Sequence, residues 1–324
     1  MTKTTDPRIP VTIITGFLGS GKTTLLNNII RKHPEKRFAI IENEIGEIGI
    51  DGGLIVGAKE NIFELSNGCI CCSLNGDFNE VIENLLEHSE PFDHLLIETT
   101  GIADPNAVVQ SFLSSEFIQM EFCIDGVVCV ADAVNMKNLI NSEAEVRKQL
   151  ALADTILINK SESVTVNHLQ ELQSMIETFN PSAQTHWVSQ ADISDIQLLN
   201  TNSFSGKSIE KSTLAFRNMA LLKSNTAHDI KAIGISIPGS FDYDKFNYWI
   251  ESYLFFNSKD VFRIKGILSF ANKKEKQIFQ AVSLSYTIED GSEWQGEQRF
   301  CKLVFIGKNL VRNDLEWALH RLVQ

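Results

Sequence analysis

Val11-Thr12-Ile13-Ile14-Thr15-Gly16-Phe17-Leu18-Gly19-Ser20-Gly21-Lys22-Thr23-Thr24-Leu25-Leu26 is the stretch on which the reading of this chain turns. The apolar run VTIIT reads as a buried strand, and residues 22–33 carry a helical pattern. Between them, GFLGSGKT (16–23) fits GxxxxGK[ST], placed where a phosphate-binding loop has to be, after a strand and opening a helix. Gly16, Gly19 and Gly21 let backbone N–H groups turn inward around phosphate oxygens, and the helix N-terminus adds a favourable dipole. Lys22 is expected to reach the β- and γ-phosphates, and the Thr23 hydroxyl to ligate Mg²⁺. The plainer alternative is a glycine-rich turn that binds nothing. The strand–loop–helix context weighs against it.

Working outward, short apolar runs alternate with helical periods. Strands are expected at 38–41, 94–98, 126–131, 155–158 and 185–188, with helices at 77–88, near 105–119, and at 143–153 and 166–179. Residues 42–60 read as loop. This order predicts an α/β fold, a mostly parallel sheet with helices on both faces, over residues 1–190. The rhythm is lost over 191–227, rich in Ser, Asn and Thr, which reads as a linker region. A smaller α+β domain is expected over 228–324, with strands at 229–237, 261–270, 277–287 and 301–306 and helices at 242–255 and 312–323.

A chain of 324 residues has room for two such domains, and 43 % hydrophobic residues supply their cores. The formal net charge of −12 argues against a general nucleic-acid binder, which needs a basic face, but not against one bound nucleotide. No apolar run approaches the roughly 20 residues that span a bilayer. The polar stretch 1–10 is too short for a secretory signal, so a cytoplasmic location is expected. In a reducing compartment the six cysteines are not a disulfide framework. Cys123, Cys129 and Cys301 sit in or beside apolar segments and read as small buried side chains.

Two further segments complete a nucleotide site. The buried run LLIE ends in Glu98, followed by Thr99-Thr100-Gly101. Glu98 can hold Mg²⁺ through water or orient an attacking water, and the Gly101 N–H can sense a γ-phosphate. By itself Glu98 could be a solvated strand end. Asn159-Lys160-Ser161-Glu162 follows another buried strand and resembles the guanine-reading NKxD motif, with Glu in the place of Asp. A carboxylate there accepts two hydrogen bonds from guanine, and adenine offers no such donor pair. The extra methylene of Glu162 shifts the geometry.

Cys69-Ile70-Cys71-Cys72 is a separate signal. Thiolates in this spacing suit Zn²⁺ or Cu⁺, their softness favours Zn²⁺, and Co²⁺ fits a similar geometry. Adjacent Cys71 and Cys72 would pair only with strain. Carboxylates of the stretch ENEIGEIGID (42–51) are candidates to complete the site. A reactive or structural thiol cluster and a solvated acidic loop are the plainer readings of the two segments.

Together GFLGSGKTTLL, ENEIGEIGID, ELSNGCICCSL and ETTGIADP resemble the CobW-type P-loop GTPases, closest to the YjiA-like branch of zinc and metal chaperones. The likeness runs on through NKSE, RIKGIL (263–268) and LVFIGKNL (303–310), covering nearly the whole chain. It implies a SIMIBI-type GTPase domain followed by a CobW-type C-terminal domain. It implies slow, Mg²⁺-dependent hydrolysis of GTP and transfer of zinc or a similar ion to a client metalloprotein. It places phosphate contacts at Gly19, Ser20, Gly21, Lys22, Thr23 and Thr24, and base contacts at Asn159, Lys160 and Glu162. Metal ligands fall at Cys69, Cys71 and Cys72, with Glu42 and Glu47 added. The His-rich tract of many relatives is missing here, where the seven histidines are scattered.

The sequence therefore predicts a GTP-hydrolysing metallochaperone with Lys22, Thr23 and Glu98 as catalytic residues. GTP and Mg²⁺ serve the P-loop and Zn²⁺ the CxCC motif. The expected partner is a client metalloprotein, without nucleic acid or membrane, and a homo-oligomer stays open. A nucleotide-binding zinc sensor without obligatory hydrolysis is the alternative. A small-molecule P-loop kinase is disfavoured because residues 42–104 contain no Arg for a lid. A thiol oxidoreductase would need its cysteines on a thioredoxin-like βαβ unit.

Overall fold

Strand β1 (Ile9–Thr15) is the middle strand of a seven-stranded sheet, and each residue from Val11 to Thr15 is buried. The computed structural model describes residues 6–44, 62–68, 76–102, 104–204 and 230–324. The other strands are β2 (Phe38–Glu44), β3 (Ile62–Gly68), β4 (His94–Glu98), β5 (Phe122–Asp132), β6 (Thr155–Asn159) and β7 (Gln184–Trp187). They run parallel in the order β3-β2-β4-β1-β5-β6-β7. Parallel strands need crossovers that cover the sheet faces, which is why VTIIT and HLLIE are near-continuously apolar. The helices are α1 (Lys22–Lys32), α2 (Gly76–His88), α3 (Pro105–Ser114), α4 (Glu116–Glu121), α5 (Met136–Ser142), α6 (Ala144–Leu152) and α7 (Val166–Phe179).

α1 buries Leu25, Leu26, Ile29 and Ile30 against Ile14, Ile40, Leu96, Val128 and Val130 of four central strands. Because β4 returns between β2 and β1 while β5 lies on the other side of β1, the ends of β4, β1 and β5 stand side by side. This is the place at which open α/β sheets bind ligands.

The chain divides into two compact units, Met1–Met175 with Ala183–Thr201, and Ile176–Ser182 with Asn202–Gln324. The second holds an antiparallel sheet in the order β11-β10-β9-β12-β8. Its strands are β8 (Ile230–Pro238), β9 (Val261–Leu268), β10 (Glu275–Val282), β11 (Ser285–Glu293) and β12 (Phe300–Lys308). Helices α8 (Tyr243–Asn257) and α9 (Arg312–His320) supply Phe246, Ile250, Leu254, Leu315 and Leu319 to one core with Ile264, Phe279 and Phe305 of the sheet. Arg263, buried in β9, places its guanidinium 4.9 Å from the centroid of the Phe204 ring.

Several expectations change. The helix near 105–119 is two helices, because extended Ser115 ends α3 and caps α4 through Ile118 N. The strand at 277–287 is a hairpin, β10 and β11, turning at Ser283, whose φ is 53°. No Gly or Asn marks that turn, so the sequence gives no warning of it. β3 and α5 were not expected, and β2 runs on to Glu44, into the stretch read as loop. The linker region read from 191 begins as packed chain. Ile193, Leu198 and Leu199 join the core beneath α1. Asp125, at a register shift between β1 and β5, accepts hydrogen bonds from Asn200 N at 2.6 Å and Thr201 Oγ1 at 3.3 Å. Residues 205–227 of that region lie outside the described residues.

Candidate nucleotide site

The loop between β1 and α1 is shaped by Gly16, Gly19 and Gly21, all with positive φ. Gly21 shows why the residue type matters. Its φ is 107°, and a Cβ there would lie 2.5 Å from the Asn159 Nδ2. The loop closes with Ser20 N donating to Phe17 O at 3.2 Å, and Lys22 Nζ folds back to Phe17 O at 3.4 Å. Ser20 and Lys22 are buried, and Thr24 is exposed on the first turn of α1.

Glu98 comes to this loop from the end of β4. Thr23 Oγ1 donates to Glu98 Oε1 at 3.2 Å, so two residues 75 positions apart meet at the P-loop. The hydroxyls of Ser20 and Thr100 are buried without a hydrogen-bond partner. Orphaned polar atoms of this kind usually have a ligand, water or ion as partner. A hydroxyl and a carboxylate are also the hard oxygen donors Mg²⁺ prefers. The residues present thus fit a Mg²⁺-nucleotide. Gly101 packs backbone to backbone on the P-loop, where a Cβ would stand 2.5 Å from Leu18 N.

The segment Asn159–Glu162, expected from the sequence to read the base, lies on the other side of β1. Asn159 is buried at the end of β6 and has both polar atoms engaged. Its Nδ2 donates to Ser20 O at 2.8 Å, and its Oδ1 accepts from Ala191 N at 2.7 Å. It ties the P-loop to the turn after β7. Lys160 has a left-handed backbone, φ 60°, and its Nζ pairs with Asp132 Oδ2 at 2.8 Å. Glu162 stands exposed in the short 3₁₀ turn Ser161–Ser163.

Three residues here escape a motif search. Asp132 ends β5, takes Lys160, and accepts from Val134 N at 2.8 Å and Asn135 Nδ2 at 3.0 Å. Burial pushes its carboxyl pKa up, but the Lys160, Asn135 and Val134 hydrogen bonds outweigh this and hold it below the usual range. A buried strand ending in Asp and followed by Asn three residues on was the available signal. Gln190 and Ala191 are consecutive non-glycine residues with φ of 49° and 51°. Nothing in their residue types foretells that geometry.

Cys69, Cys71, Cys72 and Glu47 lie outside the described residues, and Glu42 is described only as backbone of β2. Among the described residues no three His, Cys, Asp or Glu side chains come together in a group that could hold a metal ion. Cys129 in β5, paired with Thr15 of β1, and Cys301 in β12 have thiols pushed up to about 12 by burial, so both are neutral packing residues. No helix among the described residues is long and apolar enough to cross a membrane.

A parallel sheet with this loop on its middle strand and a carboxylate on the neighbouring strand end defines a P-loop nucleotide-binding fold. Residues 10–186 match the family described as CobW/HypB/UreG, nucleotide-binding domain, and residues 230–323 match the cobalamin synthesis protein cobW C-terminal domain. The chain belongs to this CobW/HypB/UreG family. It is 31 % identical to the zinc chaperone YjiA of Escherichia coli over 96 % of this chain and 97 % of that one. It is 27 % identical to the zinc-regulated GTPase metalloprotein activator 1 of Saccharomyces cerevisiae, over 98 % of this chain and 84 % of that one. The crystal structure of Zn(II)-bound YjiA GTPase from E. coli superposes with a TM-score of 0.73 at 26 % identity, covering 98 % of this chain and 100 % of that one.

Proposed function

We propose that the chain is a GTP-hydrolysing metallochaperone. It binds zinc through Cys69, Cys71 and Cys72, with Glu42 and Glu47 as further ligands, and couples its nucleotide state to delivery of the metal to a client metalloprotein. The observation that carries the nucleotide half is the Thr23–Glu98 contact at the P-loop. The metal half is supported by the full-length likeness to a protein called a zinc chaperone.

The reaction is attack of water on the γ-phosphorus. A new P–O bond forms to the water oxygen, the bond to the β-phosphate oxygen breaks, and the water's protons pass to phosphate and solvent. Thr23 and Glu98 would hold Mg²⁺, which when bound neutralises charge between the β- and γ-phosphates. The P-loop amides and Lys22 take the growing charge on the phosphate oxygens. Gly101 N–H and the Thr100 hydroxyl lie in the segment following Glu98, suited to contact the γ-phosphate. Asn159 holds the P-loop to the base side, and Lys160 and Glu162 give the site its guanine preference. Zinc is cargo, and its proposed ligands lie along the chain between Thr23 of the P-loop and Glu98. A γ-phosphate that changes the setting of this stretch alters the metal geometry.

The deciding experiment is a zinc competition titration of the full chain with a non-hydrolysable GTP analogue and with GDP, repeated on Cys71→Ser. Zinc affinity should differ between the two nucleotides and collapse in the variant. Phosphate release from GTP should occur without any acceptor. Equal zinc affinity in both nucleotide states would leave a zinc-binding GTPase without coupling.

A further inference from the structure

We infer that Lys148 and Gln149, consecutive residues of α6, are positioning residues for GTP hydrolysis, holding the segment after Glu98 against the P-loop. The inference rests on the GTPase reading above. Gln149, 1 % exposed, donates from Nε2 to the Gly101 carbonyl at 3.1 Å. Lys148 Nζ pairs with Asp104 Oδ2 at 2.8 Å, three residues on from Gly101. The other oxygen of Asp104 caps α3, accepting from Asn106 N at 3.0 Å and Nδ2 at 2.7 Å. The start of the same segment is fixed from β1, where Thr99 N donates to Ile14 O at 2.9 Å and Thr99 Oγ1 to Thr15 Oγ1 at 3.0 Å.

The chain after Glu98 is thus held at 99 from the P-loop strand and at 101 and 104 from one helix. Side chains of consecutive helical residues diverge by about 100°. Gln149 therefore reaches the buried carbonyl while its neighbour Lys148 reaches the half-exposed carboxylate. Packing alone would be served by an apolar residue at 149, but the buried Gly101 carbonyl would then lose this donor. A partly exposed ion pair such as Lys148–Asp104 adds little to stability. What both contacts do set is the place of Gly101. Its backbone already touches Leu18, so a displaced segment cannot keep its fit to the P-loop. Catalysis is sensitive to displacements of about 1 Å.

The test compares Lys148→Ala, Lys148→Arg, Asp104→Asn and Gln149→Ala in the full chain. Asn at 104 keeps a helix-capping oxygen and removes the charge. Expected for Lys148→Ala and Asp104→Asn is a kcat lower by about three- to fivefold, with unchanged melting temperature and unchanged affinity for a fluorescent GDP. Lys148→Arg should restore the rate, and the double variant should be no slower than either single one. Gln149→Ala should lose about tenfold. Amide hydrogen exchange without nucleotide should quicken several-fold at residues 99–102 in Lys148→Ala and Gln149→Ala. Unchanged kcat in a chain that hydrolyses GTP, or losses that multiply in the double variant, would overturn the inference and leave the GTPase reading standing. If the parent chain does not hydrolyse GTP, that reading fails. The exchange data then decide alone, and unchanged exchange at 99–102 refutes the hold.

Discussion

His94 shows how one residue can be structural while looking chemical. It is fully buried at the start of β4, and its Nε2 shares a hydrogen bond with Thr12 Oγ1 at 2.8 Å. Burial, aided by Lys36 and His33, pushes its pKa down to about 3. The folded protein thus keeps the ring neutral, whereas the unfolded chain protonates it near 6.5. Its stabilising share is whole above pH 6.5 and is lost as the pH falls towards 3. At pH 5 the loss should be about 2 kcal/mol. Urea unfolding at pH 7 and pH 5 should show this drop in the parent chain and a smaller one in His94→Gln. Gly21→Ala should destabilise by about 1–3 kcal/mol, since the new Cβ meets Asn159 at a strained φ. Its urea midpoint checks this. Lys22→Ala should keep the fold and lower GTP turnover by about a hundredfold or more, measured as phosphate release at saturating nucleotide.

At the scale of elements, the strands around the P-loop were legible because two-sided burial writes itself as unbroken apolar runs. β4 and β6 are found within a residue of their expected bounds. β3 was not, because IFELSNG mixes polar residues into the strand, as suits the edge of a sheet. The stretch after β7 misled for a related reason. Its Ser, Asn and Thr residues read as linker, yet Ile193, Leu198 and Leu199 turn inward and a single buried carboxylate, Asp125, holds Asn200 and Thr201. Asp125→Ala should cost about 1–3 kcal/mol. It should also raise amide exchange at Asn200 while leaving α1 protected, a pattern that separates release of the segment from loss of the fold.

At the scale of the whole molecule, the proposed function requires that nucleotide and metal affinities be linked. If a GTP analogue changes zinc affinity by some factor, zinc must change affinity for that analogue by the same factor. Measuring both titrations on the same preparation checks the coupling without knowing the client. In Cys71→Ser, nucleotide affinity should become independent of zinc while GTP itself still binds.

The amino-acid order by itself determined that β1 is followed by a phosphate loop, that the first unit is a parallel α/β sheet, and which residue types stand ready as donors. Those features depend on local spacing and on the burial period, both written along the chain. Only the tertiary structure decided that Thr23 meets Glu98, that Asn159 clamps Ser20 to Ala191, that Asp132 takes Lys160, and that Lys148 and Gln149 hold the segment after Glu98. These contacts join residues 28 to 139 positions apart, and no local pattern encodes them. They arise because strand order β4-β1-β5-β6 brings separate strand ends to one edge of the sheet.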